Sequence, residues 1–349
     1  MFQWWESFGY SNVLADIFTN PWSGPGLHSP SINATGGRTG GPSFRYVTTN
    51  SLGNATIAKT VKAISAGVTK YAAVAYRCSV LPPLGGFRVI YAFTQNGSVQ
   101  VDIRINSQGD LYFTRNGTLL AGTTLTALVV ANVYLQFVAK VVIDPSAGSV
   151  DVRLHGGSTS AYGGAITGLN TRATATTTCD GVALCTGGTD NDPCTVDFCH
   201  VAVNSSDWMG DLRVDYFPGN ANGNSSQWAR SAGSNNYENI DEIGSKNTSD
   251  YNKTSTVGEK DTFPTDDVPT TAQIFAVCPM GLFDKQDAGA AECAFVIRQS
   301  SADYDQTNFS PPFGSQQYFK QAVENNPATS SSFTATEFNG GEVGYKRTT

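Results

Sequence analysis

Phe87-Arg88-Val89-Ile90-Tyr91-Ala92-Phe93-Thr94, then Asn96-Gly97, then Ser98 to Asn106, is the stretch whose reading decides the fold. The first run is rich in β-branched and aromatic residues, which suit a pleated, packed strand. Asn-Gly is the dipeptide that most readily supplies two residues at positive φ for a two-residue hairpin turn. The second run alternates: Val99, Val101, Ile103 and Ile105 fall on one face, Gln100, Asp102, Arg104 and Asn106 on the other. A period of two is a half-buried antiparallel strand. Outward from this hairpin the pattern continues. Gln108-Gly109-Asp110 turns into Leu111-Tyr112-Phe113-Thr114, and Asn116-Gly117 turns into Thr118-Leu119-Leu120-Ala121. Tyr134 to Ile143 is a longer apolar strand, and Val150 to Leu154 returns after Asp144-Pro145-Ser146-Ala147-Gly148. Strands about every 8–12 residues with turn chemistry between them predict a β-sandwich or barrel.

The rest of the chain fits an all-β protein. At 349 residues, two domains of ~150 residues are expected. Hydrophobic residues are 40% of the chain, enough to build cores, while the net charge is −7 and no basic cluster occurs. That distribution predicts neither a nucleic-acid partner nor, without an apolar run of ~18 residues, a membrane-spanning helix. Met1 to Glu6 lacks the basic and apolar regions of a signal peptide, so secretory export is not expected. Ala55 to Val61 and Tyr71 to Val80 read as further strands. Gly36 to Gly41 is followed by the strand-like Ser43-Phe44-Arg45-Tyr46-Val47 rather than by a helix, which argues against a phosphate loop.

A junction is expected near Ser205 to Gly210. Glu6 is the only glutamate before Glu238, and Leu212-Arg213-Val214-Asp215-Tyr216 reads as the opening of a second β unit. The polar stretch 220–264 is expected to wrap that unit as loops. Ala272 to Val277 and Cys293 to Arg298 are its expected core strands, with Tyr318 to Gln321 and Phe333 to Tyr345 closing the chain.

Of the seven cysteines, Cys179, Cys185, Cys194 and Cys199 follow a C-x5-C-x8-C-x4-C spacing. This lacks the tight C-x2-C knuckle of a zinc site, so disulfide closure of a loop is the favoured reading, with unpaired thiols the alternative. Cys278 and Cys293 are placed to face one another across two strands, which leaves Cys78 over.

Residues 1–205 resemble the laminin G-like, concanavalin A-like jelly-roll domain of tailed-bacteriophage structural proteins. The features that carry the resemblance are Glu6 to Tyr10, Arg38 to Tyr46, the strand series 87–154, Thr171 to Thr174, Cys179 to Val182 and the closing Asp197-Phe198. The family often carries two acids at that closing position; here there is one, and a bound cation is not assigned. Residues 206–349 resemble the C-terminal module of phage virion proteins through Gly210 to Tyr216, Gln227-Trp228, Ser231 to Tyr237, Ile240 to Glu242, Asp250-Tyr251, Gly258 to Phe263, Asn326-Pro327-Ala328 and Phe333 to Phe338. The resemblance implies an antiparallel jelly-roll sandwich followed by a second, smaller β-sandwich that serves virion attachment or oligomerisation. It implies a virion structural protein of the tail or the capsid surface, assembled in the host cytoplasm and exposed on the released particle, with other virion proteins as partners.

No catalytic constellation is expected. Retaining glycosidases need two carboxyl groups ~5–5.5 Å apart, and Glu6 is the only glutamate in the first domain. Asp102, Asp110, Asp144 and Asp151 read as turn caps and solvated positions. His28, His155 and His200 are isolated in sequence, and no serine sits in a nucleophile elbow. The sequence reading is therefore a non-enzyme with no catalytic, cofactor or metal residues and no cofactor. Trp228 and Tyr237 are the residues singled out for contact with a glycan or a partner. Binding of a host surface glycan is the alternative function, and glycan hydrolysis the third. The aromatics of the opening segment, Trp4, Trp5, Phe8, Tyr10, Phe18 and Trp22, together with stretch 220–264, point to a homo-oligomer, with a trimer favoured.

Overall fold

The computed structural model describes residues 2–8, 20–23, 28–48, 58–120, 125–156, 161–162, 164–186, 193–242 and 247–349. The protein is all-β, with multiple sheets in a sandwich-like arrangement. It forms two compact units, Met1–Asp215 and Tyr216–Thr349.

The first unit contains β1 (Phe2–Glu6), β2 (Asn20–Ser23), β3 (His28–Asn33), β4 (Ser43–Thr48), β5 (Ala58–Gly67), β6 (Thr69–Cys78), β7 (Phe87–Gln95), β8 (Ser98–Asn106), β9 (Leu111–Arg115), β10 (Thr118–Leu119), β11 (Leu135–Val142), β12 (Gly148–His155), β13 (Ala161–Tyr162), β14 (Ile166–Leu169), β15 (Cys179–Thr186) and β16 (Cys194–Asn204). A nine-stranded sheet runs β13-β12-β11-β6-β16-β4-β3, with β1 added to β16 and β14 to β12. A seven-stranded sheet runs β10-β9-β8-β7-β15-β5-β2.

Local chemistry explains the hairpins. Asn96 and Gly97 sit at φ 48° and 74°, Asn116 and Gly117 at 44° and 88°. These are the paired positive φ values that let a two-residue turn follow the strand twist. Gly109, at φ 78°, lies where a Cβ would meet the Val129 carbonyl oxygen at 2.1 Å, so no other residue fits that turn.

The inner faces of the two sheets supply the core. Tyr76, Phe137 and Phe198 pack from β6, β11 and β16, with Tyr76 5.9 Å and 5.5 Å from the other two ring centroids. Tyr91 and Phe93 project from β7, and the Tyr91 phenol lies against Ala139 of β11. Each such ring contributes roughly 1.5–3 kcal/mol by leaving water. Trp4 and Phe8 are buried within this unit. Tyr10 and Phe18 lie outside the described residues, as do 55–57 of the strand expected over Ala55–Val61.

The central strands are buried on their outer faces too. Met209 and Leu212 cover Tyr71, Ala73, Val138 and Ala202, with Phe2, Trp5, Trp208 and Val214 packed around them. Leu212 to Tyr216 thus forms no strand, contrary to the sequence expectation: its apolar residues are used against the face of an existing sheet. A bulge in β16 makes this possible. Cys199 pairs with Ala75 and Ala202 with Ala73, so one extra residue is inserted, and His200 takes φ 48°.

The expected disulfides are absent: among the described residues no disulfide joins any of the seven cysteines. Cys179 and Cys185 lie on β15 and Cys194 and Cys199 on β16, in different sheets, so the pairs belong to the frame and not to one closed loop. Burial pushes the Cys179, Cys199 and Cys293 thiols up to about 11, which keeps them protonated and unreactive.

The second unit has a four-stranded sheet, β19-β24-β21-β22, and two-stranded sheets β17-β18 and β20-β23. Its strands are β17 (Ala229–Arg230), β18 (Asn252–Lys253), β19 (Lys260–Phe263), β20 (Met280–Phe283), β21 (Cys293–Gln299), β22 (Ala302–Asp305), β23 (Gln317–Lys320) and β24 (Glu342–Arg347). Ala272–Val277 makes only isolated bridges, through Gln273 and Val277, and is not the core strand expected. Phe333–Tyr345 divides into a short helix, α1 (Ala335–Asn339), and part of β24. Thr334 caps α1, accepting from the Glu337 N–H while Glu337 reaches back to the Thr334 N–H.

Candidate functional site

Trp228 and Tyr237 sit on a loop held by a buried carboxylate. Asp261 is fully buried and accepts from the backbone N–H of Gln227 (2.6 Å) and Trp228 (2.9 Å), from Asn236 Nδ2 (2.8 Å) and from the Tyr345 hydroxyl (3.2 Å). Burial raises its proton affinity, and these donors oppose the shift. Trp228 donates its indole N–H to the Glu259 carbonyl and packs edge-on to Tyr345, 4.7 Å between centroids. Tyr237 lies half-buried in the 3-10 turn Asn236–Asn239. Among the described residues no ring contact joins the two.

The carboxylates of the first unit separate into two kinds. Asp144 caps its turn through the N–H groups of Ser146 and Ala147, and Asp110 accepts from the Ala127 N–H. Asp102 and Asp151 are buried instead, which corrects their reading as solvated positions. His28 opens β3, paired with Thr48, rather than lying in a loop. His200 is buried; its Nδ1 accepts from the Val214 N–H at 3.1 Å, and burial lowers its proton affinity. Asp211 faces His200 and His155 and pairs bidentately with Arg38, which holds its carboxyl below the usual range. Among the described residues no group of three or more His, Cys, Asp or Glu is placed to hold a metal ion.

The outer face of the seven-stranded sheet carries the most specific polar constellation. Val61, Val89, Ala92, Ala183 and Cys185 form a buried apolar cluster on this face. On the same sheet β8 sets Asp102 and Arg104, two residues apart and so on one face. Arg104 Nε and Nη2 meet the two Asp102 oxygens at 2.8 and 2.9 Å, with side chains only 8% and 3% exposed. The Thr114 hydroxyl donates to Asp102 from β9 at 2.5 Å. Phe87 lies 4.2 Å from the guanidinium carbon, over its face. Burial raises the proton affinity of Tyr112, half-buried beside Arg104. Gln100, expected in the same row, sits at a bulge and turns to the 173–178 loop, bonding Thr174, Thr176, Thr178 and the Ala173 N–H.

The nine-stranded sheet has its own charged row, which sequence reasoning missed. Asp197 pairs in register with Arg45 of β4 on one side and Arg77 of β6 on the other. Its two oxygens are saturated by Arg45, Arg77 and Ser43, so the position at which the resembled family often carries two acids holds two guanidinium groups here. A single charged residue in an otherwise apolar strand, as in Ser43-Phe44-Arg45-Tyr46-Val47, was the available signal.

No family model matches the chain, and no curated protein matches it. Solved structures do. A cellulose-induced protein, Cip1, is 18% identical over 53% of this chain and 91% of its own, with a TM-score of 0.40. A UEA-II lectin complexed with galactose is 10% identical over 57% and 96%, with a TM-score of 0.36. An alginate lyase from Klebsiella pneumoniae is 10% identical over 49% and 83%, with a TM-score of 0.34. The expectation of a non-enzymatic phage virion structural protein is corrected by these comparisons. The proteins found are a lectin, a lyase and a cellulose-induced protein, and none of the three is a virion protein. At these scores the likeness carries no argument about ligand or chemistry, which must come from the residues themselves.

Proposed function

We infer that the chain binds glycans, at the outer face of the seven-stranded sheet. The observation that carries this reading is the Asp102–Arg104 pair. A buried ion pair is a poor source of stability, because apolar residues of similar volume hold a fold as well or better. On a sheet face that also carries an apolar cluster, it has a better use as a fixed array of donors and acceptors. Sugar hydroxyls both donate and accept, and match a carboxylate beside a guanidinium. The C–H faces of a pyranose match rings such as Phe87 and Tyr112. An apolar surface with a few convergent polar groups is the general composition of a small-ligand site. The finer architecture belongs to the same reading: a concanavalin A-like jelly roll, supported by the pairing of the first strand, β1, with the last of the unit, β16.

The test is a glycan array probed with the full chain and with the double variant Asp102→Asn/Arg104→Gln, which keeps shape and removes both charges. The expected result is retention of a defined glycan set by the wild type and a loss of about tenfold or more in the variant, a change of ~1.4 kcal/mol. Retention of no glycan, or equal retention by both proteins, refutes the reading.

A further inference from the structure

We propose that the outer face of the nine-stranded sheet is an anion site, and that Arg45 and Arg77 there bind the carboxylate or sulfate groups of an acidic polysaccharide. The site lies in the other sheet from Asp102 and Arg104. Its ligand class rests on the glycan reading above.

The strand register builds the row. Ser31, Arg45, Asp197 and Arg77 are successive cross-strand partners on β3, β4, β16 and β6. With strands ~4.8 Å apart, the two arginines start two strand spacings from one another. Asp197 lies between them, its side chain 2% exposed, while those of Arg45 and Arg77 are 28% and 30% exposed. The carboxylate is therefore a buried anchor and the guanidinium groups are the surface.

The anchor does not exhaust them. Arg45 spends Nε (2.7 Å) and Nη2 (3.1 Å) on Asp197. Arg77 spends Nη2 on the other oxygen (2.6 Å), with a longer approach to the Gly36 carbonyl. Each guanidinium has five N–H donors, so Nη1 of both and Nε of Arg77 remain for a ligand. Two cations on one anion also leave one positive charge in excess.

Among the described residues no second carboxylate pairs with either arginine. Tyr134, whose ring lies 4.8 Å from the Arg77 guanidinium, is kept neutral by burial, and its hydroxyl is given to the Gly36 carbonyl. The Cys199 thiol is pushed up to about 11 by burial and stays neutral. Asp211 is already paired with Arg38. The cross-strand ties fix both guanidinium groups before a ligand arrives, so little rotamer freedom is left to lose on binding. Arginine held this way is suited to bidentate capture of planar or tetrahedral oxyanions. A protein of net charge −7 repels polyanions as a whole, so attraction must be local to such a row.

Affinity electrophoresis of the full chain tests this, with polygalacturonate, dextran sulfate and uncharged dextran in the gel. Retardation is expected by one or both polyanions and not by dextran, weakening with added salt. Retardation by polygalacturonate assigns carboxylate groups, and by dextran sulfate sulfate groups. The triple variant Arg45→Gln/Asp197→Asn/Arg77→Gln, which removes all three charges, should lose at least about tenfold in apparent affinity. Arg77→Lys, which keeps charge and anchor but loses the planar fork, should lose a smaller part and serves if the triple variant does not fold. Absence of retardation by both polyanions, or retardation unchanged in the triple variant and in Arg77→Lys, overturns the proposal. If neutral glycans are still retained on the array in that case, the glycan reading survives it; if the polyanions are bound through Arg45 and Arg77 while the array shows no dependence on Asp102 and Arg104, the converse holds.

Discussion

Removing the carboxylate of Asp261 should unfasten the loop that carries Trp228 and Tyr237. In Asp261→Ala two donors are left with nothing: the Trp228 N–H and the Tyr345 hydroxyl hydrogen. Two others keep a second partner, since Gln227 N also reaches the Lys260 carbonyl (3.3 Å) and Asn236 Nδ2 the Trp228 carbonyl (2.7 Å). A stranded buried donor costs ~1–3 kcal/mol, so the pair costs about 4 kcal/mol. The weakened bonds at Gln227 and Asn236 add to this, and relief of the buried charge subtracts a similar amount. Asp261→Asn should cost about half as much. Its remaining oxygen still serves the two backbone groups, while its new N–H faces the Asn236 amide. Calorimetry of the full chain should show the transition of the second unit lowered by ~10–15 °C in the alanine variant, at a few degrees per kcal/mol for a unit of this size. The acid behaviour is a second readout. Burial raises the Asp261 pKa above the ordinary carboxyl value of 3.8. The folded state therefore holds this proton more tightly, and the group's contribution to stability falls as pH rises from 3.8 through its folded pKa. The asparagine variant should lack that fall. A melting point within 1–2 °C of wild type for Asp261→Ala, or equal losses for Ala and Asn, would refute this account of the loop.

Other predictions concern the first unit and the thiols. His200 has its pKa lowered from 6.5, mainly by burial, so the unfolded state binds the proton first; stability should fall as pH drops below ~6.5, and His200→Gln should lose that slope in urea titrations at several pH values. Thiol titration in denaturant without reductant should find seven free cysteines, and in the native state reaction should be slow, because six of them are buried; fewer than seven thiols would show that bridges form. Gly109→Ala should destabilise the first unit by more than ~3 kcal/mol in urea unfolding, since its Cβ would lie 2.1 Å from a backbone oxygen at φ 78°. Thr334→Ala should lower the second unit's stability by ~1 kcal/mol through loss of the α1 cap.

The hairpins were legible because their causes are local. Asn96-Gly97 and Asn116-Gly117 specify their turns within two residues, and the alternation of Ser98–Asn106 specifies a strand and its two faces wherever the strand is placed. The same pattern put Asp102 and Arg104 on one face, although not whether that face was wet. Burial of Asp102 depends on β9 beside it, on Phe87 and on the sheet below, none of which a period of two reports. The row on the other sheet was beyond reach for a stronger reason. Arg77 and Asp197 are 120 residues apart, and Arg45 and Asp197 152. Their meeting depends on which strands become neighbours and in what register, and a slip of one residue would turn each to the core. Cysteine spacing misled in the same way: Cys185 and Cys194 are near in sequence but belong to different sheets. Leu212 and Val214 alternate like a strand but lie against the face of a sheet whose edge-to-edge partners were already filled. Turn chemistry and alternation are properties of consecutive residues, whereas charge pairing, burial and thiol state are set by contacts between distant ones, which only the assembled sheets decide.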